Sequence, residues 1–151
     1  MYIVSNQEIN KQEQKGRNQF LSFHSGSTAN WVAMGNKYDV CDLTGKTECE
    51  IFIEIKAREI KSTSYSTTFL EAKKYNHLMD LANVTATGKA YYFVTYTDNV
   101  ALLFNLTTIK NIQQNYDRRW MLEVTLEGQN TMVEKEIYDL PIALAVKKYK
   151  W

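Results

Sequence analysis

The stretch YDVCDLTGKTECEIFIEIKAR, residues 38–58, holds the most informative pattern in this chain. Its second half, Ile51–Arg58, is a hydrophobic strand that nevertheless carries Glu54 and Lys56. Side chains alternate across a strand, so Glu54 and Lys56 point to one face while Ile53 and Ile55 point to the other. Placing a carboxylate and an ammonium inside a sheet costs desolvation energy that a plain core avoids. The bland alternative is an exposed sheet face with a cross-strand ion pair.

The preceding segment, Tyr38–Leu43, reads as a partner strand, with Thr44–Gly45–Lys46–Thr47 as turn residues. A four-residue loop, Gly45 to Glu48, would pair Thr44 with Cys49 and Asp39 directly with Glu54. A two-residue loop, Gly45–Lys46, would pair Thr44 with Thr47 and Asp39 with Phe52. Asp39 is then a diagonal neighbour of Glu54, roughly 5–8 Å away. Either register turns Asp42 to the opposite face. Two carboxylates in contact repel unless positive charge lies between them. A divalent cation answers that need, and hard oxygen ligands point to Mg²⁺ or Mn²⁺. Such an ion polarises a phosphoryl oxygen and lowers the pKa of a bound water. Lys56 could orient that water or stabilise charge developing on the phosphate. These are the parts for hydrolysing a phosphodiester.

Outward from this hairpin, the chain reads as one α/β unit over residues 1–151, with no repeat and no low-complexity tract. Residues 6–23 read as a polar helix, with the alternative that Gly16 ends it early and leaves Phe20–His24 as a strand. Lys61–Thr67 is a Ser/Thr-rich loop. Thr68-x-x-Glu71 has the form of a capping box. Tyr75, Leu78, Met79 and Ala82 then recur at helical spacing, with Lys73, Lys74 and Asn76 mostly on the other face. Ala90–Tyr96 (AYYFVTY) suits a strand buried on both faces, and Thr97–Asp98–Asn99 turns it into Val100–Leu106. Alternation from Trp120 to Leu126 and a strand near Met132–Tyr138 suggest a C-terminal hairpin. Pro141 opens a short closing helix.

Composition closes off other chemistries. Cys41, Cys49, His24 and His77 are the only cysteines and histidines, and their spacing does not build a zinc site. No run of ~18 apolar residues marks a membrane span. Met1–Asn6 lacks the basic start and apolar run of a secretion signal, so a cytoplasmic location is expected. The formal net charge of +1 is small for a nucleic-acid binder. Binding to DNA would therefore rest on a local basic surface and depend on salt.

Asp39 followed by Glu54-Ile55-Lys56 resembles the PD-(D/E)xK nuclease superfamily, and the hairpin is similar to that of archaeal-type Holliday-junction resolvases and small phage and bacterial nucleases. The family pattern has an apolar residue after the aspartate, and Val40 fits. Its usual proline before the aspartate is replaced by Tyr38. The resemblance implies a restriction-endonuclease-like central mixed β-sheet flanked by helices, here with an extra C-terminal β-hairpin. It also implies a Mg²⁺- or Mn²⁺-dependent DNA nuclease, with Asp39 and Glu54 as metal ligands and Lys56 as the third catalytic residue. Many members add an acid from the first helix, and Glu8 and Glu13 are both available for that role.

Position in the chain marks Lys46, Arg58, Lys61, Lys73 and Lys74 as DNA-contact candidates. The plain reading of each is a solvated surface cation. The tail Lys147–Trp151 (KKYKW) mixes basic and aromatic residues as single-strand binders do, and also reads as a docked or frayed end. A homodimer fits duplex or junction cleavage, which needs two sites, but the sequence marks no interface. The alternative function is a DNA-binding or structural protein that keeps the nuclease fold without catalysis.

Overall fold

A computed structural model describes residues 14–23, 32–33, 43–46, 50–123 and 130–151. The first described element is a helix, α1, over residues 14–23. Strands β1 (Val32–Ala33), β2 (Leu43–Lys46) and β3 (Glu50–Ala57) follow, then β4 (Thr67–Glu71) running into helix α2 (Ala72–Asn83). Next come β5 (Lys89–Thr95), β6 (Val100–Asn105), β7 (Tyr116–Leu122), β8 (Met132–Pro141) and β9 (Lys147–Lys150). Short 3-10 turns at Ile112–Asn115 and Ile142–Leu144 link the last strands.

Six strands form a mixed sheet in the order β1-β2-β3-β5-β6-β9. β3 and β5 run parallel, joined through β4 and α2, and every other neighbour pair in the sheet is antiparallel. β5 and β6 lie between other strands and are apolar along most of their length, as an interior strand requires. The two faces carry separate cores. Ile53, Ile55, Phe93, Ala101 and Leu103 pack with Phe20 of α1 and Tyr149 of β9. Tyr92, Val94, Leu102 and Phe104 pack with Leu78 and Ala82 of α2 on the opposite side. The C-terminal hairpin β7–β8 is present and joins β4 in a second, three-stranded sheet, order β4-β8-β7.

Several local expectations change. The helix reading holds over residues 14–23, and the alternative of an early end at Gly16 is not taken. A Cβ on Gly16 would sit 2.7 Å from Ile55 Cγ2, so the glycine lets α1 lie close on β3. Thr68 is a buried strand residue, not a helix cap, and Glu71 makes no side-chain capping bond. Its carboxylate instead accepts from Lys135 Nζ at 3.0 Å. The body of α2 buries Leu78 and Ala82, with Tyr75 and Met79 packed against the same core. The turn Thr97–Asp98–Asn99 forms as read, with Asn99 in the left-handed region at φ 58°. The tail is docked: β9 pairs with β6, Tyr149 is buried, and its ring stacks on Phe23 at 4.4 Å. Among the described residues, no helix is long and apolar enough to cross a membrane.

Candidate active site

β3 delivers the charged pair as its alternation requires. Glu54 and Lys56 lie on the α2 side of the central sheet, opposite the Ile53 and Ile55 side chains that meet α1. Glu54 is only 6% exposed, which rejects the plain reading of a solvated sheet face. A carboxylate so enclosed needs a cation or strong donors. Lys74 of α2 supplies one, its Nζ forming an ion pair with Glu54 Oε1. The first turn of α2 therefore reaches the carboxylate through Lys74.

Lys56 is half-buried on the same face. Burial pushes its ammonium below the ordinary lysine range, Arg58 and Lys74 push the same way, and Glu71 and Glu54 oppose them. Glu71 thus belongs to the electrostatic surroundings of Lys56, held from behind by Lys135. Tyr92 stands directly beside Glu54 in the β3–β5 ladder. Burial raises its hydroxyl above the ordinary phenol range, so it stays protonated and donates to the Phe69 carbonyl at 3.1 Å. Sequence reading missed Tyr92 and Glu71 as site neighbours. Alternation in AYYFVTY placed Tyr92 on a definite face, but the parallel register with β3 is not local information.

The five cation candidates divide sharply. Lys74 is exposed along its length, but its ammonium turns to Glu54. Arg58 is also turned inward: its guanidinium donates to the Phe69 carbonyl at 2.7 Å and the Tyr92 hydroxyl at 3.3 Å, and lies 4.0 Å above the Phe69 ring. It ties the end of β3 to β4 through one guanidinium nitrogen. Lys61 and Lys73 are exposed. Lys46 is the last residue of β2, paired with Glu50, and its side chain lies outside the described residues. Asp39, Asp42, Glu8 and Glu13 lie outside them too.

The hairpin register differs from both expected ones. Thr44 pairs with Phe52 and Lys46 with Glu50, leaving residues 47–49 as the connection. Gly45 therefore belongs to a strand, opposite Ile51, and not to the turn.

The donor set can be weighed against the divalent ion that the sequence reading calls for. Glu54 offers hard carboxylate oxygens in an enclosed setting next to lysines, which suits Mg²⁺ or Mn²⁺ better than a soft metal. Among the described residues, no group of three metal-capable side chains converges. Glu54 fits as one ligand, and a complete set requires an acid from outside the described residues.

By sequence, no protein family and no curated protein matches this chain. By fold, it is similar to Hjc, a Holliday junction resolvase from the hyperthermophilic archaeon Archaeoglobus fulgidus. The TM-score is 0.51 at 14% sequence identity, covering 87% of this chain and 92% of that one. At such identity the likeness establishes the fold: a central mixed sheet flanked by helices, shared with a junction resolvase.

Proposed function

We propose that this protein is a Mg²⁺- or Mn²⁺-dependent DNA nuclease of the PD-(D/E)xK type, cutting phosphodiester bonds in duplex or branched DNA. The observation that carries the reading is the enclosed Glu54 beside half-buried Lys56 on one face of β3. The likeness in fold to a Holliday junction resolvase supports it. In this reading Glu54 and Asp39 hold the ion, which when bound supplies Lewis-acid stabilisation to the scissile phosphate. Lys56 orients the attacking water and stabilises charge growing on the phosphate oxygens. Lys74 pairs with the Glu54 carboxylate and fixes its direction. Exposed Lys61 and Lys73, with Lys46, serve as phosphate contacts that position the duplex. Arg58 acts from within, holding β3 and β4 together under the site.

The register of β2 and β3 makes a second aspartate worth testing. Leu43 faces Ile53. Asp42 immediately precedes that pair in the chain, and Glu54 immediately follows it. Asp42 is therefore tested beside Asp39 as Glu54's acidic partner.

The test is cleavage of branched, duplex and single-stranded DNA with Mg²⁺, Mn²⁺ or EDTA. Wild type is compared with Glu54→Gln, Lys56→Met, Asp39→Asn and Asp42→Asn. Loss of one essential group is expected to slow cleavage by roughly 10²–10⁴-fold. Whichever aspartate variant falls with Glu54→Gln is the partner. Activity that survives Glu54→Gln or Lys56→Met would sink the site assignment. A folded protein that cleaves nothing and binds neither ion in calorimetry would favour the non-catalytic DNA-binding or structural alternative.

A further inference from the structure

Lys74 makes a direct contact with the enclosed Glu54 carboxylate, and it stands where a helix does not favour it. It is the third residue of α2, beside Lys73, in a first turn that carries no acidic residue. The positive end of the helix dipole disfavours cations there. Glu71 at the cap does not offset them fully, since its carboxylate accepts from Lys135. The Glu54 carboxylate, beneath this turn, supplies negative charge that the turn itself lacks.

The two partners differ in freedom. The Glu54 side chain is 8% exposed, on a strand with neighbours on both sides in the central sheet. The Lys74 side chain is 46% exposed, so its ammonium reaches water by rotation about its own bonds while the backbone stays in place. The other two cations of the site are less free. Arg58 is fastened to the Phe69 carbonyl and the Tyr92 hydroxyl, and Lys56 is half-buried. Lys74 and Arg58 both add to the positive charge felt at Lys56. A divalent ion arriving at Glu54 meets these like charges, and Lys74 is the one that can withdraw.

We propose that Lys74 is a resident counter-cation, which occupies Glu54 until a divalent ion arrives and is then displaced into solvent. This regulation of the site rests on Glu54 being a metal ligand, as the nuclease reading has it. A bare carboxylate in this enclosed position would be destabilising. Lys74 relieves that in the ion-free protein and, in doing so, lowers the affinity for the ion. By linkage, the ion must weaken the Lys74–Glu54 pair to the same degree. Only a side chain moves in the exchange, and Glu54 passes from one cation to another without being exposed.

Isothermal calorimetry with Mn²⁺ on the DNA-free protein tests this, together with urea unfolding in EDTA and in saturating Mn²⁺. Lys74→Met should bind Mn²⁺ about fivefold more tightly than wild type, the factor expected for release from a partly exposed ion pair. Lys74→Gln should do the same, and it carries the comparison if Lys74→Met does not fold. Lys73→Met removes an equal charge from the same turn and should change the affinity far less. Lys74→Met should unfold at lower urea than wild type in EDTA, and the gap should narrow in saturating Mn²⁺, where neither protein keeps the pair. Mn²⁺ affinity at or below wild type in both Lys74 variants overturns the proposal and leaves Glu54 as a metal ligand. So does a stability gap that Mn²⁺ does not change. Should Mn²⁺ bind wild type and Glu54→Gln alike, or bind neither wild type nor the Lys74 variants, Glu54 is no ligand, and the metal-dependent nuclease reading falls together with the proposal.

Discussion

The two faces of β3 are built from the same strand and obey opposite rules. Toward α1, Ile53 and Ile55 enter a core of aromatic and aliphatic groups, closed by Phe20 and Tyr149. Toward α2, Glu54 and Lys56 are enclosed almost as well, yet their neighbours are Lys74, Arg58, Glu71 and the hydroxyl of Tyr92. The first face gains from removing apolar surface from water. The second loses solvation and recovers it through directed polar contacts. On β3 itself the cost of enclosing charge falls on one face only, although the neighbouring strands bury an apolar core on that side as well.

That division predicts where truncation hurts most. Phe93 is fully buried on the α1 side, with Phe20 edge-on at 5.2 Å and the Tyr149 ring at 5.9 Å. Phe93→Ala should cost about 3–5 kcal/mol, read as a fall in the urea midpoint with unchanged slope. A loss under about 1 kcal/mol would mean that this face does not carry the fold.

Lys74→Met probes the other face. The variant keeps the length of the side chain and removes the ammonium paired with Glu54. Charge-assisted hydrogen bonds are worth about 1.5–3 kcal/mol, but the Lys74 side chain is 46% exposed and solvent screens part of that. About 1 kcal/mol of destabilisation is expected in the same urea experiment. A loss as large as that of Phe93→Ala would show that the Lys74–Glu54 pair matters to stability as much as a fully buried aromatic residue does.

The contrast between the faces was legible in the sequence because it depends only on alternation within Ile51–Arg58. The apolar stripe of α2 and the Asn99 turn were legible for the same reason, each being written in consecutive residues. What escaped depends on partners far along the chain. Thr68-x-x-Glu71 fits a capping box locally, but Thr68 pairs with Leu140 of β8, and that ladder holds the segment as strand. Gly45 and Lys46 have turn chemistry, yet pairing with Ile51 and Glu50 keeps them extended and shifts the register. The inward turn of Arg58 follows from where Phe69 and Tyr92 arrive, which no spacing near Arg58 records. Lys74 lay among candidate DNA contacts because helical periodicity places it on the polar face of α2. Periodicity does not reveal that Glu54 lies beneath that face.

The smallest expected effect sharpens the comparison by moving from enclosed to open polar contacts. Asp98, in the β5–β6 turn, accepts from the Ser62 hydroxyl at 2.7 Å and the Ser62 amide at 3.1 Å. With Thr97 bonded to the Ile60 carbonyl at 3.0 Å, it pins the Ser/Thr-rich loop that leaves β3. The Ser62 hydroxyl bond is the main cause holding the Asp98 carboxyl below its ordinary value of 3.8, and the Ser62 amide adds to it. Between that value and the lower folded one, the unfolded chain binds more protons than the native one. The contribution of Asp98 is therefore whole above pH 3.8 and fades as pH falls through the folded value. Asp98→Ala should melt slightly below wild type at neutral pH, and the gap should close in strong acid. A gap that stays constant with pH would assign the effect to backbone changes in the turn. Asp98 is open to water, whereas Glu54 is buried beneath α2. The same chemistry, a carboxylate accepting from a charged or polar donor, thus shapes a site when enclosed and only tethers a loop when exposed.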